Sequence, residues 1–284
     1  MEKNVLSTDL TGKVAVVTGA GGVLCSHMSL VLARAGAKVA LLNRTYEKAK
    51  AVEERITSEG GCAKAYACNV LDKEQVEKVA LQVKEDLGSC DILVNGAGGN
   101  GAGATTDKEY YEPGDLDGDT KSFFDLDEKG IDQIFQLNFT GTLLPTQAFA
   151  KQMLGREGCC ILNISSMNAY RPLTKIPAYS GAKAAVTNFT QWLAVHFAQA
   201  GIRVNAIAPG FFATAQNRSL LFNEDGTPTA RTGKILSATP MRRLGDSEKD
   251  LDGAMLFLVD SEAAAFITGV CLPIDGGFSA YSGV

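Results

Sequence analysis

Tyr179 and Lys183 stand four residues apart at the start of an apolar helical pattern, so they share one face of it. A phenol beside an ammonium ion has its ionised form favoured, which lowers its pKa. Such a tyrosine can pass a proton to or from a substrate oxygen near neutral pH. Thirteen residues before Tyr179, the apolar run 159–164 gives way to Ser165-Ser166. A hydroxyl at that strand end could bond the same oxygen, with Ser166 the candidate and Ser165 its neighbour. Tyr-x-x-x-Lys also describes an aromatic and a lysine on any amphipathic helix, so the surrounding elements decide.

Those elements alternate. A Val-rich run at 13–17 predicts a buried strand, 18–22 a Gly-rich turn, and 23–35 a helix stopped by Gly36. Strand, glycine turn and helix form a phosphate cradle: glycine admits close backbone approach, and the helix start offers N–H groups and partial positive charge. A second strand at 38–42 ends at Asn43-Arg44. An acid there would bind a free ribose 2′-hydroxyl, whereas an arginine accommodates a 2′-phosphate, so Arg44 leans the reading toward NADP. A helix over 45–59, a strand at 63–67 ending in Asn69-Val70, and a helix capped by Asp72 and running to Leu87 follow. The strand at 91–94 runs into Asn95-Gly96-Ala97-Gly98-Gly99. Repeated strand–helix alternation predicts an α/β fold, a Rossmann-type doubly wound parallel sheet of about seven strands in one domain.

The rest of the chain is less even. Residues 99–129 show no period and exceed the length of a simple link, which marks them as functional or partly mobile. A long helix is predicted over 127–152, with Asn138 and Gly141 inside it, residues that disfavour a helix interior and hint at a special site. A strand at 159–164, an apolar helix at 178–200 and a strand at 202–208 ending in Pro209-Gly210 come next. The polar, basic stretch 211–239 reads as a helical lid, 246–260 as a helix and 269–273 as a last strand.

Composition narrows the function. A net charge of −5 gives no basic surface for nucleic acid or anionic membrane. Seven scattered cysteines and two histidines carry no metal-ligand spacing, so no metal is expected. The start, Met1-Glu2-Lys3-Asn4, has no apolar signal region, and no apolar run approaches membrane-spanning length. The expectation is a reduced, cytoplasmic protein.

On these motifs the sequence resembles a classical short-chain dehydrogenase/reductase along its whole length. Thr18-Gly19 opens the family's Thr-Gly-x-x-x-Gly-x-Gly turn, and Asn95-Gly96-Ala97-Gly98 matches its Asn-Asn-Ala-Gly. Asn138 matches the helix Asn, Ser166 the catalytic Ser, Tyr179 and Lys183 the Tyr-x-x-x-Lys pair, and Pro209-Gly210 with Thr214 the cofactor segment. Four positions depart. Val23 and Cys25 replace the later glycines of the first turn, so Gly21 and Gly22 are expected to give the close approach. Gly96 replaces the second Asn, and Asn69 the acid near adenine.

The resemblance implies hydride transfer between NAD(P)(H) and a carbonyl carbon. Tyr179 is then the proton donor, Lys183 tunes it and holds the nicotinamide ribose, Ser166 bonds the substrate oxygen, and Asn138 seats a water that links Lys183 to solvent. The cofactor is implied along Thr18, Gly19, Gly21, Gly22, Val23 and Leu24, then Asn43, Arg44, Asn69 and Val70. It continues past Asn95, Gly96, Ala97 and Gly98 to Tyr179 and Lys183, and ends at Pro209, Gly210, Phe212 and Thr214. A homotetramer or homodimer is implied as well.

Within the family, the segments 22–25, 166–169, 216–218, 221–226 and 279–284, with the insertion that follows 95–100, resemble a bacterial branch acting on the sugar acids D-mannonate and D-fructuronate. Asn168, Lys175, Asn217 and Arg218, beside Ser166 and Tyr179, are the expected substrate contacts, since a guanidinium pairs well with a carboxylate. The alternatives are a gluconate 5-dehydrogenase, a 3-oxoacyl-carrier-protein reductase, or a nucleotide sensor without catalysis. An intact Ser, Tyr, Lys and Asn set argues against the last.

Overall fold

The structure is a computed structural model describing residues 8–214 and 217–283. Gln216, Val284 and the start Met1-Glu2-Lys3-Asn4 lie outside the described residues.

Seven strands build one parallel sheet: β1 (Val14–Thr18), β2 (Lys38–Asn43), β3 (Cys62–Ala67), β4 (Ile92–Asn95), β5 (Cys160–Ile164), β6 (Arg203–Pro209) and β9 (Cys271–Ile274). Their order across the sheet is β3-β2-β1-β4-β5-β6-β9, so the direction of winding reverses between β1 and β4. Every residue of β1, β4 and β5 is buried, which is why these strands read as unbroken apolar runs rather than alternating ones. Helices cover both faces. Leu30 and Val31 of α1 (Val23–Arg34), Val52 and Ile56 of α2 (Tyr46–Ser58), and Met255 and Leu258 of α9 (Asp252–Val259) pack on one. Val76 and Val83 of α3 (Lys73–Asp86), Phe149 and Met153 of α5 (Gly141–Met153), and Leu193 of α6 (Pro177–Phe197) pack on the other. Asp72 caps α3 by accepting from the Gln75 amide at 3.0 Å.

Three expectations need correction. The single helix over 127–152 is two, α4 (Glu128–Phe135) and α5, joined by a π-helical turn over Gln136–Thr140. The segment 211–239 is only partly helical, holding α7 (Arg218–Leu221) and α8 (Ala230–Ala238). It begins with a two-residue strand, β7 (Phe212–Ala213), which pairs with β8 (Gly245–Asp246). The helix expected from 246 starts at Asp252. Asp250 accepts from the Asp246 amide at 2.8 Å and pairs with Arg243, and Asp246 accepts from the Glu248 amide at 2.9 Å. These side-chain bonds hold 246–250 in turns that compete with helix.

The stretch between β4 and α4 has two 3₁₀ turns, Ala102–Ala104 and Phe123–Asp125, and many local side-chain bonds. Ala104 packs with Ile134, Ala178 and Ala182, and Tyr179 lies against this cluster. The insertion therefore stands beside the start of α6.

Candidate active site

β5 delivers Ser165 and Ser166 at its carboxyl end. Their hydroxyls part company. Ser165 Oγ is held by α6, 2.7 Å from Thr187 Oγ1 and donating to the Lys183 carbonyl at 3.2 Å. Ser166 Oγ instead caps the 3₁₀ turn Met167–Ala169, accepting from the Asn168 amide at 3.2 Å. Pro177 opens α6 in the first turn, where a missing N–H costs nothing. Tyr179 and Lys183 then fall on successive turns of the same face.

Lys183 is buried and donates from Nζ to the Ile164 carbonyl at 2.7 Å. Burial disfavours its charge and brings its pKa down to about 8. Its Nζ lies over the Tyr179 ring, 5.7 Å from the ring centre. The phenol does not follow the sequence expectation. Burial raises the Tyr179 pKa, with the Ser166 hydroxyl pulling the other way. The ammonium faces the ring and the Ile164 carbonyl rather than the phenol oxygen, so desolvation wins.

Asn138 sits in the π turn, fully buried. Its Nδ2 donates to the Gly99 and Ile134 carbonyls, both at 2.8 Å, and its Oδ1 accepts from the Gly99 amide at 3.1 Å. Its amide group thus clamps the turn after β4 to the helix. A Cβ built on Gly98 would lie 2.7 Å from Asn138 Oδ1 and 3.2 Å from Lys183 Nζ. Only a glycine leaves these two groups room to approach.

A cleft of about 520 Å³ runs across the carboxyl ends of the central strands, at the point where the winding reverses. Ser166, Tyr179 and Lys183 line it. So do Gly19, Gly21, Gly22, Val23 and Leu24 from the first turn, and Asn43, Arg44, Asn69 and Val70 from the ends of β2 and β3. Gly96, Ala97 and Gly98 close the floor, and Pro209, Gly210 and Thr214 the far wall. Gly19 has φ +67°, and a Cβ on it would meet the Ala97 backbone at 2.9 Å. The glycine keeps the cradle open, so these residues fit a dinucleotide.

Four expected contacts do not line that cleft. Thr18 is buried and acts through the next turn, its Oγ1 accepting from the Gly96 and Ala97 amides at 3.0 and 3.2 Å. Asn95 ties the sheet to its neighbours, donating to Thr146 Oγ1 and Asn163 Oδ1, both at 2.9 Å. Asn138 works from behind Gly99. Phe212 is buried and lines an adjoining cavity with Phe211, Thr239 and Asp275. The sequence reading missed Lys48, in the first turn of α2 and also in the lining. A second cation in the first turn of the helix that follows Arg44 was the available signal. The lining residues hold three cations, Arg44, Lys48 and Lys183, and no carboxylate.

The expected substrate contacts are scattered. Asn168 is 4% exposed, and its Oδ1 has no partner among the described residues. Lys175, at φ +74°, lines a separate groove with Thr106, Tyr110 and Lys121 of the insertion. Asn217 spends its side chain on its own loop, accepting from the Thr214 amide at 2.8 Å and donating to the Phe212 carbonyl at 2.9 Å. Arg218 is exposed and stacks over Phe222, 5.6 Å from the ring centre. Among the described residues no cluster of three or more His, Cys, Asp or Glu is placed to hold a metal ion, and no helix is long and apolar enough to cross a membrane.

Residues 13–225 match the family model for short chain dehydrogenases. The chain belongs to the short-chain dehydrogenase/reductase family, as the sheet order and the Ser-Tyr-Lys cleft already indicate. A crystal structure with bound NAD from Haemophilus influenza, provisionally named a D-mannonate oxidoreductase, is 57% identical, covers 99% of this chain and 100% of its own, and superposes with a TM-score of 0.94. An uncharacterised oxidoreductase, UxuB, of Bacillus subtilis is 53% identical over 98% of this chain and 99% of its own. A gluconate 5-dehydrogenase from Burkholderia cenocepacia, in complex with NADP and tartrate, is 28% identical over 98% of this chain and 99% of its own, with a TM-score of 0.80. The chain is therefore an NAD(P)(H)-dependent oxidoreductase acting on CH–OH groups.

Proposed function

We propose that the chain interconverts D-fructuronate and D-mannonate. The similarity to the NAD-bound Haemophilus influenza protein, carried over the full length at 57% identity, is the observation that supports this substrate. The bound nicotinamide supplies or accepts the hydride at the carbonyl carbon. In the reducing direction Tyr179 gives its phenol proton to the substrate oxygen, and in the oxidising direction it removes that proton. Ser166 donates a hydrogen bond to the same oxygen. Lys183 holds the nicotinamide ribose and favours the ionised phenol once substrate and cofactor are in place. Asn138 keeps the floor turn and Lys183 in register and, in this reading, passes protons from Lys183 toward solvent through a water.

Asn168 is the strongest of the substrate contacts, because a buried acceptor without a partner suits a sugar hydroxyl. Lys175, Asn217 and Arg218 reach the substrate in this reading only through movement of their loops. Arg44 and Lys48 favour a 2′-phosphate and hence NADP, whereas the Haemophilus influenza structure holds NAD. The working form is a homotetramer or homodimer, for which the exposed Leu154 just past α5 and Trp192 and Val195 of α6 speak. The compartment is the cytoplasm, in keeping with seven free cysteines.

A gluconate 5-dehydrogenase activity is the second reading, favoured by the Burkholderia cenocepacia structure. One panel decides: D-fructuronate, 5-keto-D-gluconate and an acetoacetyl thioester, each with NADH and NADPH, followed by nicotinamide absorbance. Fastest turnover of D-fructuronate is expected, with Arg44→Ala weakening NADPH more than NADH. Turnover of 5-keto-D-gluconate alone would replace the first reading with the second.

A further inference from the structure

Two departures from the family pattern meet in space. Cys25 stands in the first turn of α1, where the pattern has a glycine. Gly96 stands on the turn after β4, where the pattern has an asparagine. A Cβ built on Gly96 would fall far inside contact distance of Cys25 Sγ, yet only 3.6 Å from Cys25 Cβ, which is ordinary contact. The sulfur therefore fills most of the space that a side chain at 96 would need, with the Thr18 carbonyl oxygen a tight second neighbour at 3.0 Å. Cys25 is buried, and its carbonyl accepts from Ser29 Oγ at 2.7 Å, so the first turn has little freedom to move it. Burial also keeps its thiol protonated, which makes it a packing group rather than a nucleophile.

We infer that Cys25 is a positioning residue, whose sulfur supports the Gly96–Gly99 turn from the α1 side and sets where that turn meets Lys183 and Asn138. The turn is held at three points. Thr18 Oγ1 takes the Gly96 and Ala97 amides, the Cys25 sulfur fills the space at Gly96, and Asn138 clamps both polar atoms of Gly99. Gly98, between the last two points, touches the space shared by Asn138 Oδ1 and Lys183 Nζ. Raising or lowering Gly96 displaces Gly98 against the catalytic lysine. The two departures are then one exchange, with bulk moved from the floor turn to the helix beneath it.

The test is reciprocal rescue, read as NADH affinity by fluorescence titration together with the unfolding temperature of the cofactor-free protein. NADH binding needs no sugar acid, so the result is independent of the substrate reading. Gly96→Ala should weaken NADH about tenfold, since overpacking at a rigid site costs about one tenfold step or more. Cys25→Ala should weaken it about threefold by removing the support. The double variant Cys25→Ala/Gly96→Ala returns a methyl to the vacated space and should bind within about threefold of wild type. A double variant as weak as the product of the two single losses would overturn the inference. So would single variants that lower the unfolding temperature but leave NADH affinity unchanged, because that is what packing without positioning predicts. If Gly96→Ala does not fold, the comparison passes to the other two: tighter NADH binding by the double variant than by Cys25→Ala upholds the inference, and equal or weaker binding overturns it.

Discussion

Tyr179 and Lys183 carry opposite electrostatic loads at the same site. Tyr179→Phe removes only an oxygen, so NADH affinity should persist while turnover falls by about a thousandfold or more, the usual weight of a general acid. A loss of only a few-fold in a steady-state assay would remove Tyr179 from that role. Lys183 makes a pH-dependent claim. Its folded pKa is about 8 against an ordinary 10.5, so between those values the unfolded chain binds more protons than the folded one. Its penalty on stability is complete below pH 8 and is relieved as pH rises to 10.5. Relative to Lys183→Met, the cofactor-free wild type should gain about 3 kcal/mol across that window. Urea unfolding at a series of pH values measures it, and a flat difference would mean that the buried ammonium is not penalised. That Ser166, Tyr179 and Lys183 line one cleft was legible in the sequence, from their spacing together with the strand and helix patterns around them. The side chains of Arg218 and Asn217 turn toward partners of their own loop, Phe222 for the first and Phe212 and Thr214 for the second, and nothing in the sequence signalled that. A charge in a sequence does not show which way it points.

At the scale of elements, the turn between α4 and α5 carries most of the consequence. A π turn moves the backbone bonding from four residues to five. Asn138 Nδ2 bonds the Ile134 carbonyl, and Thr142 Oγ1 donates to the Asn138 carbonyl at 2.9 Å. Asn138→Ala loses that support together with the clamp on Gly99, and leaves the partly buried Gly99 amide without its Oδ1 acceptor. It should cost roughly 2–3 kcal/mol in urea unfolding without cofactor. A change under about 0.5 kcal/mol, the level of an ordinary surface substitution, would show that the clamp carries no strain. Strands β1, β4 and β5 were legible because full burial writes them as apolar runs. The asparagine and glycine inside a helical pattern flagged this turn, but its bonding could not be read. Side-chain bonds, as at Asp246 and Asp250, decide where such elements begin, and hydrophobic period does not register them.

The molecule as a whole presents a second apolar surface away from the cleft. Trp192 is 56% exposed, Val195 80% and Leu154 54%, along α6 and just past the end of α5. Phe189, Trp192 and His196 stack in succession there, the last two with ring centres 4.6 Å apart. Contiguous exposed apolar side chains of this kind mark association surfaces. Val195→Lys should shift the protein toward monomer in light scattering coupled to size exclusion, with the cofactor-free unfolding temperature of the monomer little changed. An unaltered mass would direct the search for the interface elsewhere. The insertion between β4 and α4 meets α8 at this scale too, where Lys234 pairs with Glu109 at 2.9 Å. That contact was not legible, because it joins an irregular segment to a helix 125 residues away.

The wide turn over Gln136–Thr140 also has the arithmetic of an insertion. A π turn is an α-helix that has taken in one supernumerary residue, and each residue advances a helix by about 100°. Upstream of it, Ile134 faces Ala104 and Ala178. Downstream, Phe149 and Met153 face the sheet. These two faces stay in phase only because of that one residue of extra length. Loss of a single codon within 136–140 would yield a more regular helix with one of its faces turned away from its partner. At this place in the chain, shortening should harm the protein more than almost any substitution.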